Sequence, residues 1–226
     1  MDPLRLCLAL GPAAIYLLLL GAINLSRRPL LVSGTRDAAA LGLAISGFAL
    51  VGPLELLIPE AALLYWGAGT WLLMTGLYVC VLMLVLLLLR PRLVIYNITS
   101  DQLRAVLADV IEQLDGSARW AGDSLWLPNL GVQLHVCGFA AFRNVSLIAL
   151  GPNQDYLGWR RLEQALDAAL ARVEVSRNPR AISLITAGLL LISALVIVIA
   201  RDPQTVAQSL LELINSAARS FPGGAR

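Results

Sequence analysis

The sequence predicts an α-helical membrane bundle of four transmembrane helices that carries an inserted two-layer α+β soluble domain and a C-terminal amphipathic helix. Three observations lead to this fold class. The 226 residues are 58% hydrophobic and only 14% charged, whereas soluble domains are about half apolar and about a quarter charged. The excess of apolar residues lies in long runs that carry almost no charge. A segment of ordinary composition follows the third run.

The composition excludes several other classes of protein. A net charge of +2 is too small for the electrostatic footprint of a nucleic-acid binder. Of the three cysteines, Cys7 and Cys80 lie inside apolar runs, and the chain has no C-x-x-C pair. The sequence therefore supports neither a disulfide framework nor a cysteine-based zinc site.

The apolar runs have the length of membrane spans, because about 20 helical residues cross a hydrocarbon core of about 30 Å. The first run is interpreted as a span and not as a signal peptide, since no small-residue cleavage site precedes the arginine pair that ends it. The predicted spans cover residues 6–25, 38–58, 61–89 and 181–200.

The arginines predict the orientation of these spans. The loop between the first two spans and both flanks of the insert contain arginine, whereas the loop between the second and third spans contains none. The positive-inside rule then places the first loop and the insert in the cytoplasm and both termini outside. All 17 basic residues are arginine, and alanine, glycine, leucine and proline are abundant, as in GC-rich bacterial genomes. We therefore expect a bacterial inner membrane. Arg201, at the outer end of the fourth span, does not fit this orientation.

The insert, residues 91–178, is predicted to be a cytoplasmic α+β domain. A strand over residues 93–96 precedes Thr99 and Gln102, which match a capping box. Apolar residues at helical spacing follow on a single face: Leu103, Val106, Leu107, Val110, Ile111 and Leu114. This pattern predicts a helix.

The remainder of the insert is predicted to contain three or four short strands and a second helix. Strands are expected at 119–120, 125–127, 132–136 and 144–150, separated by turns rich in glycine, proline and asparagine. The second amphipathic helix has its apolar face formed by Trp159, Leu162, Leu166, Leu170 and Val173. The order of elements predicts an antiparallel sheet with two helices on one face.

The tail, residues 202–221, is predicted to form an amphipathic helix. Asp202 is a suitable N-cap, and Pro203 occupies the first helical position. Such a helix either lies in the headgroup layer or docks on a protein, and the sequence leaves both alternatives open.

No catalytic, cofactor-binding or metal-binding motif is recognisable. The single histidine, His135, has no candidate nucleophile with a supporting residue beside it in the sequence. His135 and Cys137 share a strand face, but they supply only two ligands, whereas a structural zinc site needs four. Arg160 and Arg161 could face an anionic headgroup, although a solvated helix face is the favoured interpretation. We therefore expect no cofactor, no metal and no enzymatic activity.

Glu55 is the ionisable residue within a span that best suggests chemistry. A carboxylate in a membrane is costly, and Pro53 interrupts the hydrogen bonding of the same helix. The pair is a candidate intramembrane polar site. The alternative is that Glu55 reaches the interface, because the helix ends about one turn later.

The sequence thus predicts a non-enzymatic accessory, assembly or scaffold component of a membrane complex. Its partners would be the lipid bilayer and a membrane-protein complex or a second copy of the chain, with no nucleic acid. The expected partner contacts are Arg119, Arg143 and the tail helix. A small transport or channel component that uses Glu55 is the alternative.

Overall fold

The computed structural model describes residues 3–54, 68–139, 143–152 and 154–220. The chain divides into two compact units. The first, here called the helical unit, comprises Met1–Leu18, Ala39–Leu87 and Ile185–Arg226. The second, here called the sheet unit, comprises Leu19–Ala38 and Leu88–Leu184, and so extends beyond the predicted limits of the insert.

The described residues form seven α-helices and six strands of one sheet. In chain order they are α1 (Pro3–Leu25), β1 (Leu30–Ser33), α2 (Gly34–Ala49), α3 (Ala68–Leu88), β2 (Arg92–Tyr96), α4 (Ser100–Leu114), β3 (Arg119–Ala121), β4 (Ser124–Leu127), β5 (Val132–Phe139), β6 (Asn144–Ala149), α5 (Tyr156–Leu170), α6 (Arg180–Arg201) and α7 (Pro203–Ser220). A short π-helix over Leu50–Leu54 continues α2.

Three described helices are long and apolar enough to cross a membrane: Pro3–Leu25, Gly69–Leu88 and Arg180–Arg201. They support the membrane class, and they coincide with the predicted first and fourth spans and with the described part of the third. The second predicted span, 38–58, is not among them, and its residues 55–58 lie outside the described residues. Among the described residues, three helices therefore have the length and apolar composition of a span, and a fourth such helix is not shown.

Small residues bring helices of the helical unit close together. A Cβ atom at Gly42 would lie 2.5 Å from Cδ1 of Leu82, and the Tyr78 hydroxyl donates a 2.6 Å hydrogen bond to the Gly42 carbonyl. A Cβ atom at Gly47 would lie 1.9 Å from the carbonyl oxygen of Leu8. Both glycines permit contacts that a larger residue would obstruct, as expected where membrane helices pack.

The sheet unit contains a six-stranded antiparallel sheet in the order β1-β2-β6-β5-β4-β3. The predicted strands after residue 91 are confirmed, and Gly122, in the turn between β3 and β4, has a φ of 63°. The loop between the first two predicted spans, however, is not only a loop. It supplies the edge strand β1, in which Val32 pairs with Val94 of β2.

One hydrophobic core lies between the sheet and the helices α4 and α5. It buries inward-facing residues of β2, β4, β5 and β6 together with the apolar faces of both helices. The predicted faces are confirmed except at Val173, because α5 ends at Leu170 and Val173 follows the helix. Both halves of the predicted capping box form, with Thr99 Oγ1 accepting from the Gln102 amide at 3.4 Å.

The predicted tail helix is present as α7. Asp202 caps it, because one carboxylate oxygen accepts a hydrogen bond from the Thr205 amide at 3.2 Å and the other from the Thr205 hydroxyl at 2.6 Å. Its exposed apolar residues include Leu210 and Ile214. The helix is amphipathic as predicted.

Candidate functional site

The predicted intramembrane site is only partly within the described residues. Pro53 lies in the π-helix Leu50–Leu54, so the regular hydrogen bonding of the helix changes where the sequence predicted an interruption. Glu55 lies outside the described residues. A functional role for this pair stays a prediction.

The two predicted partner contacts occupy different environments. Arg119 is exposed on the edge strand β3, where it pairs across the strands with Trp126 of β4. Arg143 has a φ of 52° and donates from Nη1 to the carbonyl oxygen of Ser176 at 2.9 Å. It therefore links the turn before β6 to the segment before α6. Contact of either arginine with a partner stays a prediction.

His135 and Cys137 lie on one face of β5, as predicted, and both are half-buried. Sequence reasoning missed Ser124, whose hydroxyl lies 3.1 Å from Nδ1 of His135. The register between β4 and β5 creates this contact, and the sequence does not reveal that register. Among the described residues, no group of three or more His, Cys, Asp or Glu could hold a metal ion.

The sheet unit incorporates the end of α1 and the beginning of α6. Asn24 and Asn178 are both buried, and Asn178 donates from Nδ2 to Oδ1 of Asn24 at 3.3 Å. Asn178 also accepts at Oδ1 from the Arg180 amide, and so caps α6. The backbone amide of Val175 donates to the carbonyl oxygen of Arg27 at 2.9 Å. These contacts attach the segments that flank α1 and α6 directly to one another.

The beginning of α2 is also attached to the sheet. The Asp37 carboxylate accepts hydrogen bonds from the Arg92 guanidinium, at 3.0 Å, and from the Tyr96 hydroxyl. Gly34 is buried against Arg92, since a Cβ atom there would lie 1.9 Å from Cγ of the arginine. Glycine at this position lets α2 begin directly beside β2.

A cavity of about 410 Å³ lies next to this contact, lined by the β1–α2 junction, the residues between α3 and β2, and the first turns of α5. Its charged lining consists of Arg90, Arg92, Arg160 and Glu163. A second cavity, of about 430 Å³, shares Arg90, Pro91 and Tyr156 with the first. The arginines come from segments that are distant in the sequence, and the fold brings them together.

Asp115 fixes the turn on which the beginning of α5 rests. Its buried carboxylate accepts from the Asn129 backbone amide and from Nδ2 of Asn129, each at 2.8 Å. This turn, residues 128–131, contacts α5 closely, because a Cβ atom at Gly158 would lie 1.9 Å from the carbonyl oxygen of Leu130. The Asp155 amide, at the N-cap of α5, donates to the carbonyl oxygen of Gly131.

Burial on its own would raise the pKa of Asp115. Hydrogen bonds from the Ser117 hydroxyl and from the backbone amides of Asn129, Ser117 and Leu130 outweigh it, so the pKa lies below its usual range. The carboxylate is therefore ionised at neutral pH.

Comparisons of the chain with models of protein families, with curated proteins and with solved structures found no match.

Proposed function

We propose that the chain is a non-enzymatic accessory, assembly or scaffold component of a membrane-protein complex, and that the sheet unit contacts the partner. The observation that carries this proposal is the construction of the sheet unit. It contains the end of α1, the beginning of α2 and the beginning of α6, together with the strand β1 from the loop between two helices.

This construction supports a binding role because it limits the freedom of the sheet unit. A domain joined by one flexible linker loses orientational freedom when it binds, and this loss weakens the complex. Here Asn24 and Asn178 join two chain segments through a buried hydrogen bond, and Asp37 joins a third segment to β2. The sheet unit would therefore meet a membrane-bound partner in a restricted orientation.

The face of the sheet opposite α4 and α5 offers the best contact surface. Trp126 and Phe139 are 47% and 58% exposed on it, and Arg119 lies beside Trp126. Tryptophan and arginine are the residue types that most often dominate the binding energy of protein interfaces. We propose that a membrane-bound protein partner covers this face.

The proposed location is the cytoplasmic side of a bacterial inner membrane. The pairing of β1 with β2 supports it, because the first loop and the insert then lie in one sheet and on one side of the membrane. Arg27, Arg28 and Arg36 of the first loop then act together with Arg90 and Arg92 under the positive-inside rule.

Site-specific photocrosslinking in native membranes tests the partner surface. A photoreactive residue at position 126 should give one discrete adduct with a membrane protein, or with a second copy of the chain. The same residue at Gln113, which is exposed on the opposite layer of the sheet unit, is the matched control. Equal labelling from both positions, or an adduct from neither, would contradict the proposal.

A small transport or channel component is the second candidate. The π-helix at Leu50–Leu54 favours it, because such irregular turns are frequent at functional sites and this one directly precedes Glu55. Glu55→Gln should then abolish proton- or ion-linked flux in liposomes while the thermal midpoint of unfolding is unchanged. Flux equal to that of the wild type would exclude this role for Glu55.

A further inference from the structure

The cavity of about 410 Å³ in the sheet unit has an excess of positive charge. Arg90, Arg92 and Arg160 line it with a single acidic residue, Glu163. Arg92 is already paired with Asp37. Within the part of the chain that the structure describes, Arg90 and Arg160 form no ion pair, and both are exposed. Two guanidinium groups are therefore left to bind an anion.

Further hydrogen-bond donors belong to residues that line the same cavity. The hydroxyls of Ser33 and Thr35 border it. Nε of Arg92 is buried without a hydrogen-bond partner. A phosphate group accepts several hydrogen bonds at once, and the planar guanidinium matches its oxygens in a two-point contact. The set of donors is therefore suited to phosphate.

The cavity begins where a membrane helix ends. The apolar span closes at Leu88, and Leu89 and Arg90 line the cavity. Leu89 and Arg90 follow the helix directly, and two extended residues reach at most about 7 Å, so both lie close to the end of the span, where lipid headgroups are expected. Tyr156 at the cavity is 78% exposed and its neighbour Leu157 is 65% exposed, as expected for side chains at a membrane interface.

We propose that this cavity binds the phosphate of an anionic phospholipid headgroup, with Arg90 and Arg160 as the charged donors. A free phosphate ion has the same chemistry. The position beside Leu88, the exposed lining residue Tyr156 and its exposed neighbour in the sequence, Leu157, favour the lipid. This inference goes beyond the proposed function, because it requires no protein partner and is tested on the purified chain.

The test compares two adjacent arginines of α5. Arg160 lines the cavity. The neighbouring Arg161 is also exposed but does not line the cavity. The full chain in detergent is titrated with phosphatidylglycerol or phosphatidylcholine, and bound lipid is counted by native mass spectrometry. The loss of one charge-assisted hydrogen bond weakens binding about tenfold. We expect this loss for phosphatidylglycerol in Arg160→Gln and unchanged binding in Arg161→Gln.

Arg90→Gln is a second variant with the same expectation, and the thermal midpoint of each variant shows that it is folded. Inorganic phosphate is added as a competitor to separate the two sources of the phosphate group. Stabilisation by inorganic phosphate without retention of phosphatidylglycerol would overturn the lipid as ligand. Equal weakening in Arg160→Gln and Arg161→Gln, or unchanged binding in both cavity variants, would overturn the site. Both lipids carry a phosphate group, so equal binding of the two would overturn the anionic headgroup as the ligand.

Discussion

Replacing Asp115 by asparagine should destabilise the sheet unit strongly, although the two side chains have the same size. Ser117 and Asn129 together donate four hydrogen bonds to the Asp115 carboxylate. Ser117 donates from its amide at 3.0 Å and its hydroxyl at 2.5 Å, and Asn129 donates from its amide and Nδ2 at 2.8 Å each. Asp115→Asn removes the negative charge and places an amide NH₂ group among these donors.

The size of the effect follows from these contacts. A hydrogen bond to a charged group contributes about 1.5–3 kcal/mol. Ser117 and Asn129 are exposed, so water can accept some of the hydrogen bonds that their donors no longer make to Asp115. We therefore expect a loss of about 3 kcal/mol in the free energy of unfolding. The sheet unit is larger than the domains for which 1 kcal/mol shifts the midpoint by about 4–8 °C and smaller than those for which it shifts by about 2–4 °C. At about 4 °C per kcal/mol, the thermal midpoint falls by about 10 °C.

The effect should also depend on pH. The pKa of Asp115 is lowered in the folded chain, so its stabilising contribution is complete above the usual aspartate value of about 4 and is lost as the pH falls through the lower, folded-state pKa. Protonated Asp115 resembles asparagine. The difference between the wild type and Asp115→Asn should therefore be large at pH 7 and shrink below about pH 4.

The assay is thermal unfolding of the full chain in detergent, followed by tryptophan fluorescence between pH 7 and pH 3. Asp109→Asn is the matched control, because Asp109 is exposed on the same helix, α4. A midpoint for Asp115→Asn that is no lower than that of Asp109→Asn at pH 7 would contradict the role of the Asp115 hydrogen bonds. A difference between the wild type and Asp115→Asn that stays constant down to pH 3 would contradict the lowered pKa of Asp115.

Three further predictions concern the construction of the sheet unit. Gly158→Ala should lower the thermal midpoint strongly because the new Cβ would meet the turn before β5, whereas Gly116→Ala, with no atom within 4 Å, should change it little. Asn178→Ala removes a helix cap and a buried hydrogen bond, and should cost about 2–3 kcal/mol in chemical unfolding. In a cysteine-free background, Val32→Cys with Val94→Cys should form a disulfide on oxidation, seen as a mobility shift, because these residues are paired in the sheet.

Each of these predictions has a clear contrary result. Equal midpoints for the two glycine variants would show that α5 does not rest closely on the turn before β5. Unchanged unfolding of Asn178→Ala would mean that the buried amide pair does not hold α1 and α6. Absence of the disulfide in the double-cysteine variant, with the single variants as controls, would contradict the pairing of β1 with β2.

The helices of the sheet unit were predictable because their signals are local. The capping box at Thr99 and Gln102 and the apolar faces of α4 and α5 depend on residues within a few turns of each other. The strand β1 was not predictable in this way. Its four residues, Leu30–Ser33, are too few to show a clear alternation, and its partner β2 lies far along the chain.

The candidate site was predictable only in part. Arg119 was proposed as a contact from the sequence, but the position of Trp126 beside it follows from the register of β3 with β4, which the sequence does not reveal. Arg90 was recognised only as a charge that orients a span, and Arg160 was interpreted as part of a solvated helix face. Tertiary folding places both arginines at one cavity, and a local sequence pattern cannot show this because the two residues are far apart in the sequence.

The central claim is that the chain works as a component of a membrane complex. The most direct measurement is native mass spectrometry of the chain released from its own membranes in a mild detergent. The proposal predicts a defined assembly heavier than the 24.2 kDa chain, containing a membrane protein or a second copy in fixed stoichiometry. Substitution of Trp126 by serine should dissociate that assembly. A single species at 24.2 kDa, apart from bound lipid, would contradict the claim.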